Sequence, residues 1–437
     1  MLTTLKNAFK IKDLRRKIFY TLAMLVVIRL GSQLPIPGIN SGYFKAWFAQ
    51  QAGDAFSFFN AITGGSFENM SILALNINPY ITSSIIVQLL TIAIPKLEEM
   101  QRDGEDGRKK IVAITRYVTV ALALIQATAM AVGFGRSGLL EEYNALNVIT
   151  AVATMTAGSA FLMWVGERIT EKGIGNGISI VLVINIISRI PGDLSTLFEQ
   201  FVFGKAPATA VLAVVIIFAI IVLMVVLVII LNDGVRKIPV QYAKKVQGRK
   251  MVGGQTSNIP LKVNTSGVIP VIFAQSIMQF PIIICSFAGY SGTGFWAEVL
   301  KGLNSGNWCN PSQPVYSLGL LVYIALVIFF AYFYTSITFN PLMIADNMKK
   351  QGGFIPGIRP GKPTSDYLNK VLNYIVFIGA IFLTIVAVLP YAFNGIFNAS
   401  VSFGGTSLII IVSVILETTK QIESQMLVRN YKGFLND

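Results

Sequence analysis

The chain has 437 residues, 54% of them hydrophobic and 13% charged, with a formal net charge of +14 and no histidine. That balance excludes an ordinary soluble domain, and the missing imidazole removes the usual proton shuttle and the commonest metal ligand. Cys285 and Cys309 form neither a zinc nor a redox spacing, so no cofactor, metal or catalytic residue is expected and the chain does not read as an enzyme.

Ten apolar stretches are long enough to cross a membrane, at 18–34, 71–94, 111–133, 148–165, 174–190, 209–231, 267–288, 315–339, 371–393 and 401–416. The fold class is therefore all-α, a polytopic membrane protein. Residues 1–17 form a basic, amphipathic N-terminus (Lys6, Lys10, Lys12, Arg15, Arg16, Lys17). The run GSQLPIPG that closes the first stretch lacks a small-x-small cleavage pattern, so the first span reads as uncleaved and followed by a rigid turn.

The stretch 56–94 breaks the pattern. Its front part, 56–70, is short and interrupted at Thr63-Gly64-Gly65-Ser66, too short for the ~30 Å of a hydrocarbon core. The span behind it carries Asn76, Asn78, Pro79, Ser83, Ser84 and Gln88. Broken backbone at membrane depth is tolerated only where protein covers it or it lines a water-filled cavity. The expectation is a stretch inside something hollow.

Lysines and arginines decide the orientation. With both termini in the cytoplasm, 29 of the 35 fall on the cytoplasmic side, in 1–17, 96–116, 167–175, 232–262, 340–370 and 420–437. Two groups of five spans follow, an N-terminal half (18–190) and a C-terminal half (209–416), with a cytoplasmic tail at 417–437. Five is odd, so the halves face opposite ways, and such halves place the working site at their interface.

The loops add detail. Residues 96–110 read as a solvated helix-turn-helix connection. The run Gly173-x-Gly175-x-Gly177 lies between two spans rather than in a βαβ unit, so it predicts a tight turn with Asn176 capping the fifth span, not a nucleotide loop. The loop 232–262 predicts two short strands (236–242 and 258–263) around the basic tip Lys244, Lys245, Arg249 and Lys250. Seven cations face one Asp233 there, which suits an acidic or nucleic-acid partner. The loop 340–370 holds Arg359 within Pro356-Gly357-Ile358-Arg359-Pro360-Gly361, a rigid tip suited to carboxylate or phosphate.

Seven motifs in order, PIPGI (35–39), INPYI (77–81), GERITEKGIGNGISI (166–180), QGRK (247–250), LKVNTSGVIP (261–270), ADNMKKQGGFIPGIRPG (345–361) and FGGTSLII (403–410), resemble the SecY/Sec61 alpha family of protein-translocation channels. The resemblance covers essentially the whole chain. It implies an hourglass pore between the two halves, with an apolar ring at Ile77, Ile81, Ile178, Leu182, Ile272 and Ile410. The family usually has isoleucine where Leu182 stands, a change of similar bulk. A short plug helix is implied at about 56–70, including Phe59, Asn60, Gly64, Gly65, Ser66 and Phe67, and a lateral gate at Thr82, Ser83, Gln275 and Phe280.

The implied partners are the small membrane subunits SecE and SecG, the SecA motor, the ribosome, secretory preproteins with their signal sequences, and membrane lipids. Motor and ribosome would dock on Arg236, Lys237, Lys244, Lys245, Arg249, Lys250 and Arg359 in the cytoplasm of a bacterium, below its plasma membrane. Independent physics supports the ring. A collar of branched apolar side chains dewets a constriction, yet makes no specific bond to a passing chain. The chain itself has no Walker motif and no paired mid-span carboxylates, so a partner must supply the energy. The rival reading is an ion-coupled secondary transporter, which would bury ionisable residues mid-span; here Arg29, Glu167 and Glu417 lie toward span ends.

Overall fold

In lipid every backbone polar group must be satisfied within its own segment, so apolar runs become helices. The computed structural model describes residues 8–40, 42–46, 60, 62–135, 140–203, 207–242, 245–247, 250–252, 256–287, 294–311, 313–397 and 405–433. The first half contains α1 (Lys12–Gly31), α2 (Asn78–Ala93), α3 (Pro95–Arg102), α4 (Glu105–Phe134), α5 (Ala145–Lys172) and α6 (Gly177–Phe201). The second contains α7 (Pro207–Asp233), α8 (Ile269–Phe287), α9 (Phe295–Leu303), α10 (Leu318–Thr338), α11 (Pro341–Lys350), α12 (Lys362–Phe397) and α13 (Gly405–Gly433).

Each of the ten expected spans overlaps one of these helices. Among the described residues six runs are long and apolar enough to cross a membrane, and α2 with α3 passes as a pair bent by 106°. α1 opens on the charged run KDLRRK, and α13 continues into the polar run ETTKQIESQ.

The second span differs from expectation. Its helix begins at Asn78 rather than near 71: Ser71 forms a β-bridge with Pro35, and 72–77 is a chain of turns. The reason is local. Asn76 has φ 52°, a left-handed conformation that ends a right-handed helix, and Pro79 lies in the first turn, where its missing N–H costs nothing. At 1.5 Å per residue the helix reaches about 24 Å, short of a full crossing. The expected plug helix differs too. Residues 62–63 are helical and 64–70 are turns, because Gly64 and Gly65 sit at φ 63° and 81°. Residues 56–59, with Phe59, lie outside the described residues.

Helices α2 and α5 pack on α4, α8 packs on α10, and α13 packs on α6 and α7. The glycine turn forms as expected. Asn176 accepts hydrogen bonds from the Ile178 and Ser179 N–H groups at the head of α6. Gly177 is required there, since a Cβ would stand 1.9 Å from the Gly166 carbonyl oxygen.

Outside the span region, strands β1 (Val235–Tyr242), β2 (Lys245–Gln247), β3 (Lys250–Val252) and β4 (Thr256–Lys262) form the 232–262 loop. β1 and β4 pair antiparallel, Val235 opposite Lys262 and Gln241 opposite Thr256, close to the two expected strands. Strand β5 (Gly353–Phe354) from the other large loop adds to the free edge of β1. Ile238, Val240 and Leu261 pack with Met348, Ile355 and Leu368 beneath this three-stranded sheet. On the opposite end, Trp308 is fully buried, its indole N–H bonded to the Gly302 carbonyl at 2.8 Å and its ring 5.1 Å from Tyr391.

Candidate functional site

The six ring candidates come from α2 and the residue before it, α6, α8 and α13, which belong to both halves. They meet in one apolar cluster. Ile77, Leu182, Ile272 and Ile410 are buried members, and Ile81 and Ile178 pack against them half-buried. Branched side chains at 77 and 81 share a helix face by their spacing of four. On the side of the 167–177 turn, Ile81, Ile178 and Ile272 form part of the wall of a cavity of about 500 Å³. Arg116 and Glu167 form an ion pair of 2.8 Å at that cavity.

Behind the ring stands the 62–71 segment, whose Ile62 belongs to the same cluster. Its base is stitched to the turn after α1: the Ile36 N–H donates to the Met70 carbonyl at 3.1 Å and the Ile72 N–H to the Leu34 carbonyl at 2.9 Å. Phe67 packs edge-on against Phe44 at 5.4 Å in a second, outer cluster. Gly64 is wedged in place. A Cβ there would lie 2.8 Å from the Asn185 carbonyl oxygen and 2.9 Å from an Arg29 guanidinium nitrogen. Gly65 follows it, and Ser66 is fully buried.

Polar contacts hold this segment that sequence reasoning did not single out. The Glu68 Oε2 accepts from Asn60 Nδ2 at 2.8 Å and from Arg189 Nη1 on α6 at 3.0 Å. The only signal for Arg189 was its place among the few cations off the cytoplasmic side. Burial pushes the Glu68 carboxyl up, but hydrogen bonds from Asn60 and Arg189 and the charges of Arg189 and Lys45 outweigh it and hold the group below its ordinary value.

The gate candidates separate. Ser83 is buried and its hydroxyl donates to the Thr115 carbonyl on α4 at 2.7 Å. Gln275 is buried and accepts from the Tyr391 hydroxyl of α12 at 3.1 Å. Both are thus bonded within their own halves. Thr82 is half-buried and Phe280 is exposed. Tyr80, Ser84 and Gln88 of α2 and Phe273 of α8 are among the residues that line the cavity.

Of the docking candidates, Arg236 and Lys237 are exposed on β1, and Arg359 is exposed in the loop after β5. The β1–β5 pairing, Gln241 opposite Phe354, places the two loops in one sheet. Lys245 and Lys250 lie on the β2–β3 hairpin, and Lys244 and Arg249 lie outside the described residues. Asp233, the one acid of that loop, is paired with Lys420 of α13 at 2.7 Å.

The family model for SecY matches residues 71–419. The chain is 44% identical over 457 residues to the protein translocase subunit SecY of Streptomyces galbus, and 42% over 455 residues to that of Mycobacterium bovis, each match covering all of both chains. Its fold is similar to a solved structure described as "The structure of a protein conducting channel", with TM-score 0.63 and 18% identity over 94% of this chain and 92% of that one. Sec61 in a canine ribosome-channel complex is similar at TM-score 0.59 and 16% identity, over 94% and 92%. Full-length identity at this level, on a fold whose apolar waist draws on both halves, makes the chain a member of the SecY family of protein translocase subunits.

Proposed function

We propose that the chain is the central channel subunit of the general secretory translocase of a bacterial cytoplasmic membrane. It passes unfolded secretory proteins across and releases membrane-protein helices sideways into lipid. The observation that carries this reading is the waist: six branched side chains from both halves form one apolar cluster, with a cavity on one side and the 62–71 segment on the other. Such a collar excludes ions while binding no particular sequence.

In this reading 62–71 is the plug, and α2 and α8 are the lips of the lateral gate. Signal sequences enter at the cavity between them. SecA or a translating ribosome docks on β1 and the Arg359 loop, in the cytoplasm with both termini, and SecE and SecG complete the complex. Replacing Ile77, Ile81 and Ile410 together by glycine tests the ring. Resting membranes carrying the variant are expected to leak ions, measured as conductance in planar bilayers, and an unchanged conductance would remove the seal from these residues.

A further inference from the structure

Asn76 has no place in the ring, the plug or the gate, yet it bonds to the first two and stands two residues before α2. It is 1% exposed and holds φ 52°, a conformation that costs a residue with a Cβ. Its Nδ2 donates to the Thr63 carbonyl in the plug segment at 3.2 Å. Its Oδ1 accepts from Asn185 Nδ2 on α6 at 3.1 Å and from the N–H of the ring residue Ile77 at 2.8 Å. Its own carbonyl accepts from Ser159 Oγ on α5 at 3.0 Å. One side chain thus ties the plug and α6 to the head of α2.

The rest of the plug seat is incompletely bonded. Asn60 Oδ1, Ser66 Oγ, Asn185 Oδ1 and Arg189 Nε are buried without a hydrogen-bond partner among the described residues. Unmet polar groups raise the energy of the closed arrangement, so each bond that is made carries a larger share of the hold on the plug. The bonds through Asn76 are also placed to be broken. Helix α2 starts two residues after Asn76, at Asn78, and runs past Ser84 and Gln88 at the cavity, so a tilt of this short helix pulls on the turn joined to its first residue.

We propose that Asn76 is a positioning residue that couples the gate to the plug: displacement of α2 by an inserting segment opens the Asn76–Asn185 and Asn76–Thr63 contacts and frees the plug. This rests on the plug and gate reading given above. The test uses the full chain, reconstituted with its membrane subunits, in bilayers and in motor-driven vesicles. N76G keeps the left-handed backbone but removes the side-chain contacts to Thr63, Asn185 and the Ile77 N–H, and N185A removes only the partner on α6.

Each variant is expected to raise resting conductance about fivefold, the population shift that one buried hydrogen bond represents. Each is also expected to raise export of a preprotein with a defective signal sequence while leaving export of the intact preprotein unchanged. The double variant is expected to leak no more than N76G, because one clasp is removed. Unchanged conductance and signal dependence, or additive effects in the double variant, would overturn the coupling. If N76G does not accumulate, N185A decides the question alone. Deleting 62–69 separates the two readings. A deletion that leaks beside a tight N76G refutes the coupling and leaves the plug, whereas a tight deletion refutes the plug and the coupling with it.

Discussion

Glu68 receives two donors on one oxygen, Asn60 from its own segment and Arg189 from α6. Its carboxyl is held below its ordinary value, so the ion pair contributes fully above the ordinary carboxylate range and is lost as pH falls through the lower folded value. The facing charges are Arg189 and Lys45, with Arg29 reaching the Gly64 carbonyl at 3.5 Å. Resting conductance is therefore expected to stay flat while the outer solution is acidified down to the ordinary carboxylate range and to rise only on acidification beyond it. Glu68→Gln should remove that acid limb, and a limb that persists would assign it elsewhere. At this scale the Gly64-Gly65 break was legible, because positive φ is a property of glycine itself. The role of Asn76 was not. Its partners lie 13, 83 and 109 residues away, and a polar interruption in a span carries no record of which carbonyl it will meet.

At the scale of elements, strong local signals placed most of the structure. The β-prone runs of the 232–262 loop became β1 and β4, and Asn176 capped α6 as its position after the glycines implied. Onsets were less legible. α2 starts seven residues later than its apolar run, since a left-handed Asn76 followed by Pro79 overrides hydropathy. The outer cap was not foreseen at all: Trp308 sits among Tyr323 and Tyr391, rings 5.4 and 5.1 Å away, and bonds back to Gly302. Trp308→Ala is expected to destabilise the C-terminal half by about 3–5 kcal/mol, read as a lower thermal midpoint in detergent. A midpoint unchanged from the parent would show that the cap is not anchored by this ring.

At the scale of the molecule, two loops that read separately share one sheet. β5 pairs with the end of β1 at Gln241 and Tyr242, so the loop that carries Arg359 and the strand that carries Arg236 and Lys237 belong to one sheet. Arg359→Glu is expected to reduce motor-driven export by at least about tenfold while the chain still inserts, since a rigid guanidinium offers bidentate contacts that a carboxylate repels. Normal export with that variant would move docking elsewhere. The transporter reading finds no support, because the full-length relatives are translocase subunits.

The sequence by itself determined the membrane class, the order of the spans and the side on which the cations gather. Apolar length and charge act segment by segment and need no partner to be read. The seven motifs added the family, and with it the expectation of a ring. Only the tertiary structure decided that the five isoleucines and Leu182 meet in one cluster, that Ser83 and Gln275 bond within their own halves, and that the 62–71 segment bonds to Asn76 and Arg189. These are contacts between residues far apart in the chain. Their energy depends on which helix faces which, and that is settled only when the whole bundle packs.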